Sequence, residues 1–216
     1  SGFEKGSLKK VEYKKFNIIN SIFNKSLYLA GTEYTTNTDI NISGCNFKEE
    51  LQLQNNLNDV NIIGSRFYKD TMPSATDIKQ IAIVLSYNST NAQYSIKNLN
   101  VTNCFFKNYI KAIYNINSST RTAKNVTNLR FVDNTYESDN NTLIQNQATI
   151  TNLLIHGNEV AIGGTGYKRY LVGTVANLIA TNNINSFGFN SDGFNLDNVT
   201  TSLITNNIFS SIVQTA

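Results

Sequence analysis

One octapeptide pattern recurs eight times along the chain: FNIINSIF (16–23), INISGCNF (40–47), VNIIGSRF (60–67), LNVTNCFF (99–106), LRFVDNTY (129–136), LLIHGNEV (153–160), LIATNNIN (178–185) and SLITNNIF (202–209). Successive starts lie 24, 20, 39, 30, 24, 25 and 24 residues apart. Self-similarity at such a period marks a solenoid, in which each repeat buries its apolar face against its neighbours.

Within a copy, the first and third positions are nearly all apolar and the second and fourth mostly polar. That alternation is a strand with one buried face. The third column (Ile18, Ile42, Ile62, Val101, Phe131, Ile155, Ala180, Ile204) and the last (Phe23, Phe47, Phe67, Phe106, Tyr136, Val160, Asn185, Phe209) are the expected core stacks. Between them, Asn20, Gly44, Gly64, Asn103, Asp133, Gly157, Asn182 and Asn206 are residue types that accept left-handed backbone, so a bend is expected there. The next column, from Ser21, Cys45, Ser65 and Cys104 to Asn134, Asn158, Asn183 and Asn207, predicts a ladder of small side chains bonded from turn to turn.

The last five copies extend upstream to Asn98, Asn128, Asn152, Asn177 and Thr201. Each repeat also holds a second apolar stretch, such as LYL (27–29), LQL (51–53), IAIVL (81–85), AIYNI (112–116), TLI (142–144), YLV (170–172) and FNL (194–196). Two or three short strands in about 24 residues describe one turn of a parallel β-helix. A leucine-rich horseshoe fits less well, because no helical segment separates the copies. The expected fold is all-β, one parallel β-helix domain of about eight coils over 1–216. Stacked about 4.8 Å apart, these would form a rod of roughly 38 Å.

The pattern apolar-x-Asn-Asn-x-Phe, clearest in ITNNIF (204–209) and VTNCFF (101–106), resembles the right-handed parallel β-helices of the pectin-lyase-like superfamily, most of all those of bacteriophage tailspikes and tail fibres. The likeness covers about residues 11 to 213. It implies a fold far more specifically than an activity, since that superfamily holds polysaccharide lyases, glycoside hydrolases, epimerases, adhesins and tailspikes.

Composition bounds the function classes. Charged residues are only 15% of the chain, with no Trp, one Pro and one His. The net charge of +3 is small and the basic residues scattered, which argues against nucleic acid. KKVEYKK (9–15) reads as a solvated strand, and GGTG (163–166) lacks the lysine and hydroxyl of a phosphate loop. A single His gives no zinc pattern, and no cofactor is expected. No stretch approaches 18 apolar residues, so no membrane insertion is expected, and SGFEKGSLKK lacks the apolar core of a signal peptide. Copies running close to both termini suggest a fragment of a longer protein. Cys45 and Cys104 share the ladder column with Ser65 between them, about 10 Å apart, which is beyond a disulfide's reach.

Function is expected where the repetition fails. The long third repeat requires loops at 68–80 and 86–95, where Tyr68, Tyr87 and Tyr94 offer flat faces for sugars and Asp70 and Asp77 offer acceptors. In the fifth and sixth copies Arg130 and His156 point outward, and Glu137 and Glu159 flank the aromatic column. A lyase needs a cation and a base, and a glycosidase needs two carboxyls. No clustered Asp triad or Arg-rich motif accompanies them, and Asp133 reads as a bend residue. Finally, the outward second column turns from Asn17, Asn41, Asn61 and Asn100 through Arg130 to Leu154, Ile179 and Leu203, an apolar strip that calls for cover. The resemblance implies a homotrimer built along it. The leading expectation is recognition, or depolymerisation, of a bacterial surface polysaccharide by a virion-tail or extracellular rod. The alternatives are a secreted lyase or hydrolase, an adhesin, or a structural spacer.

Overall fold

The computed structural model describes residues 7–8, 14–30, 38–54, 56–71, 80–85, 95–115, 117, 122–138, 143–161, 168–187 and 192–211. At 7, 8, 161, 168, 169, 171, 185–187, 192–195 and 209–211 it describes the backbone alone. Among these residues all regular structure is β, and the ladders are parallel. The chain is a parallel β-solenoid.

Strands from successive octapeptides stack in register. An 8-stranded sheet takes the closing half of each copy, from Ile22–Phe23 through Asn46–Phe47, Arg66–Tyr68, Phe105–Lys107, Thr135–Glu137, Glu159–Ala161 and Ile184–Phe187 to Ile208–Ser211. A 14-stranded sheet doubles back at Lys168–Thr181, whose first half pairs with Ile144–Asn146 and whose second half pairs with Ile150–His156. The chain therefore supplies three ladders in turn. The first carries the second apolar stretches, for example Leu27–Ala30 and Leu51–Gln54. The second carries the opening halves of the octapeptides, and the third their closing halves. The long third repeat leaves the register intact, with Val60 opposite Leu99 and Ile62 opposite Val101. A slip of one residue would turn every core side chain outward.

All eight expected bend residues have left-handed backbone, with φ between 50° at Asn20 and 63° at Gly157. Asp39, Asp59 and Asn98, just ahead of copies two, three and four, are left-handed as well, so those copies enter the second ladder through a further bend, whereas the extensions ending at Asn128, Asn152, Asn177 and Thr201 run on as continuous strands. Inside, Phe23, Phe47, Phe67 and Phe106 stack with ring centroids 5.0, 4.7 and 4.9 Å apart. These separations match the strand spacing, so one geometry satisfies backbone and rings together. The inward column runs fully buried from Ile42 to Ala180, whereas Ile204 is 43% exposed, on a strand, Asp192–Thr205, that among the described residues is paired on one side only.

The small-residue column closes the turn between the second and third ladders. Oδ1 of Asn134, Asn158, Asn183 and Asn207 accepts the backbone N–H of Cys104, Asn134, Asn158 and Asn183, at 2.8–3.0 Å. Each amide nitrogen in turn donates to a carbonyl of the preceding turn, as Asn134 does to Val101 O at 3.0 Å. Cys45 and Cys104 occupy the same column as buried free thiols, donating to Ile18 O and Ile62 O. Burial pushes both thiols up, that of Cys104 to about 12.

One interior feature has no counterpart in the sequence reading. Lys124 is buried, its amine donating to Leu53 O at 2.9 Å. Asn115 brackets its backbone, accepting from Lys124 N at 2.9 Å and donating to Lys124 O at 2.7 Å, while also donating to Asn146 Oδ1. Burial holds the Lys124 amine well below the usual lysine range.

Candidate functional site

Alternation along the third-ladder strands decides what reaches their outer surface. Phe67, Phe106, Tyr136 and Val160 are buried, so the residues on either side of each point outward. One outward column reads Arg66, Phe105, Thr135, Glu159, Ile184, Ile208, each in register with the next. The other contains Tyr68, Lys107 and Glu137. Adjacent strands thus bring together two aromatic faces, two cations and two carboxylates.

The groups are held by one another. The Arg66 guanidinium lies 5.3 Å from the centroid of the Phe105 ring, and Lys107 Nζ lies 3.2 Å from a Glu137 oxygen. Glu159 is exposed beside Thr135. Glu137 and Glu159 are offset by one strand and two residues, which puts their Cα atoms roughly 8 Å apart. Tyr68 belongs to this surface rather than to a loop: it is the last residue of Arg66–Tyr68, fixed by its register with Lys107. Just beyond it, Asn108 donates to Lys69 O at 2.8 Å, and Asp70 is exposed. Asp77, Tyr87 and Tyr94 lie outside the described residues.

Arg130 and His156 are on a different face. Both project from the second ladder, Arg130 in register with Leu154 and His156 with Val132. His156 Nδ1 is 2.8 Å from Thr181 Oγ1. Within one chain, then, the four residues expected to act together divide into two pairs across the bend at Asp133 and Gly157.

Arg130 instead lines a groove of about 550 Å³ along the second ladder. One wall is an outer amide ladder in which Asn177 donates to Asn152, Asn152 to Asn128, Asn128 to Asn98 and Asn98 to Asp59, at 2.5–2.8 Å. The other wall includes Arg130, Leu154 and Ile179. Leu154, Ile179 and Leu203 stack in one column as expected, in register from strand to strand. Among the described residues no three His, Cys, Asp or Glu side chains gather as metal ligands would.

Arg66, Phe105 and Lys107 share this surface with Tyr68, Glu137 and Glu159 and are not among the residues expected from the sequence. The signal was available, since each is next to a member of the aromatic column and must point away from it. No protein-family model, curated protein or solved structure matches this chain.

Proposed function

We propose that this chain is the glycan-recognising rod of a phage tailspike or tail-fibre-like protein, a right-handed parallel β-helix of about eight coils carried on a virion tail or an extracellular surface. The observation that carries this reading is the outer surface of the third ladder. Tyr68 and Phe105 offer apolar faces to sugar C–H groups, while Arg66, Lys107, Glu137 and Glu159 surround them with donors and acceptors. Strands about 4.8 Å apart repeat these groups along the rod, a spacing comparable to one pyranose unit of an extended polysaccharide. The rod is proposed to work as a homotrimer.

Depolymerisation is a second reading, favoured by one relationship. Glu137 and Glu159 leave the same surface from Cα atoms roughly 8 Å apart, a placement from which two carboxyls can take up the separation of about 6.5–9.5 Å used to hydrolyse a glycoside with inversion. Binding of a panel of bacterial surface polysaccharides, followed by calorimetry, tests recognition. Wild type should bind at least one glycan, and Phe105→Ala should weaken that binding without changing the melting temperature. Equal affinity in Phe105→Ala removes the third ladder from the site. New reducing ends, or the ultraviolet absorbance of an unsaturated uronate, would mark catalysis, and their loss in Glu159→Gln would tie it to this surface.

A further inference from the structure

Two amide ladders run side by side up the second-ladder face, and only one of them continues past Arg130. The column nearer the bend is bonded from Asn100 through Asn61 and Asn41 to Asn17 at 2.8–3.2 Å, and then changes to Arg130, Leu154 and Ile179. The other column stays bonded from Asn177 down to Asp59. On each strand the two columns are two residues apart, about 7 Å. The groove of about 550 Å³ lies between them, with Leu129 and Leu153 along its floor, and its size is in the range of about 300–1,000 Å³ that suits a small ligand.

The chemistry of the walls is uneven in a way that selects an occupant. A side-chain amide has two N–H donors and an oxygen with two lone pairs, and the ladder uses one donor and one lone pair of Asn98, Asn128 and Asn152. One donor and one acceptor are left over at each turn, every ~4.8 Å along the groove. Opposite them Arg130 is exposed, and it is in neither of the ion pairs found among the described residues, Lys25–Glu49 and Lys107–Glu137. Above Arg130 the wall is apolar, with Ile179 44% exposed. Below it, two turns away, the lining includes the carboxylate of Asp59.

We infer that this groove is a saccharide site, separate from the outer surface of the third ladder and selective for a sugar chain in which a carboxylate-bearing unit is followed by one carrying a methyl group. The carboxylate pairs with the planar fork of Arg130, and Asp59 repels it from the lower end, which sets the direction of the chain. The methyl, from an acetyl group or a 6-deoxy carbon, covers Leu154 and Ile179. Hydroxyls on the opposite edge of each ring meet the amide wall, since a hydroxyl both donates and accepts. Successive pyranose units advance by a length comparable to the strand spacing, whereas an extended peptide returns to the same face only every ~6.8 Å and falls out of step with the amides. That the occupant is a saccharide rests on the glycan reading as well as on this spacing. Leu203, Ile184 and Ile208 do not line the groove, so a contact through them leaves it accessible.

Calorimetric titration of the whole chain tests the assignment, with a tetrasaccharide alternating hexuronate and N-acetylhexosamine as the probe. Its carboxyl-reduced form removes the charge, its N-formyl form removes the methyl, and a tetrasaccharide alternating hexuronate and 6-deoxyhexose distinguishes the two sources of that methyl. Wild type should bind at least one of the two methyl-bearing acids, and carboxyl reduction should weaken the binding about tenfold or more. In Arg130→Gln the acid and its reduced form should bind alike, with an unchanged melting temperature because Arg130 is exposed. Loss of the methyl should weaken binding to wild type but not to Leu154→Asn. Absence of binding by either methyl-bearing acid at millimolar concentration, or an equal loss on carboxyl reduction in wild type and Arg130→Gln, overturns the site. Phe105→Ala keeps this inference apart from the third-ladder reading. Binding that is lost in Phe105→Ala and intact in Arg130→Gln sinks the groove alone, and binding that needs Arg130 while no polysaccharide depends on Phe105 sinks the third-ladder reading alone.

Discussion

Asn158 and Asn183 are bonded twice through one atom: Oδ1 of Asn183 accepts both the backbone N–H of Asn158, at 3.0 Å, and its side-chain amide, at 2.9 Å. Asn183 also donates to Ile155 O at 3.1 Å, so one side chain ties two turns of the solenoid together. Replacing it with alanine leaves a buried N–H, an amide and a carbonyl short of a partner. Asn183→Ala should lower the unfolding free energy by about 1–3 kcal/mol, read from denaturant titration. An unchanged midpoint would remove the ladder from the forces that hold the fold.

Gly157 should be the least replaceable bend residue. Its φ is +63°, and a Cβ there would collide with the carboxylate of Asp133, the bend residue of the preceding turn. Gly157→Ala should cost about 1–2 kcal/mol or more from backbone strain alone. Gly64, with open space where a Cβ would go, should accept asparagine with little loss, since asparagine already fills the equivalent position at Asn20 and Asn103. Thermal melts of the two variants compare them directly.

Lys124 should make stability depend on pH. Burial lowers its folded pKa below the unfolded value, so the unfolded chain binds more protons across the interval between them. Its contribution is present above the ordinary lysine range and is lost as pH falls towards the folded value. Lys124→Met removes that dependence, so the stability of the variant relative to wild type should rise from pH 9 to pH 6. Denaturant midpoints at the two pH values measure it, and a constant difference would show that Lys124 keeps its proton in the folded state.

Cys104 should be inert while the chain is folded. With its thiol pushed up to about 12, almost no thiolate exists at pH 8, and its sulfur is enclosed by the core. Reaction with a thiol reagent should follow global unfolding and accelerate with denaturant. Fast reaction in buffer would mean that the turn opens locally.

Phe105 should contribute to glycan binding without contributing to the core. It is partly exposed, while its neighbour Phe106 carries the interior stack. Phe105→Ala should weaken binding by about 1 kcal/mol, roughly fivefold in Kd, whereas Phe106→Ala should lower stability by about 3–5 kcal/mol. Calorimetry and melting together separate the two roles.

Most of the fold was legible because a solenoid makes local pattern and global position the same thing. Stacking at a fixed period turns a column in the aligned octapeptides into a row of neighbours in space, so the bends, the core stacks and the inner ladder follow from residue type. Tyr68 shows the limit on a small scale: its place at the end of the third-ladder strand depends on pairing with Lys107, not on the loop composition around it. Lys124 shows it more sharply. Nothing in the run RTAKNVT distinguishes a buried lysine, because its partner, Leu53 O, is 71 residues away.

The sequence by itself determined which residues share a column and which way each column points, because a period-two strand and a left-handed bend are local consequences of side-chain type. Only the tertiary structure decided which columns share a face. Arg130 and His156 read as companions of Glu137 and Glu159, but the bend at Asp133 and Gly157 rotates the chain between them and sends the two pairs to different surfaces. The same rotation sets Leu154, Ile179 and Leu203 on one side of a corner and Ile184 and Ile208 on the other. Direction around that corner is a property of the folded backbone, and a linear pattern does not carry it.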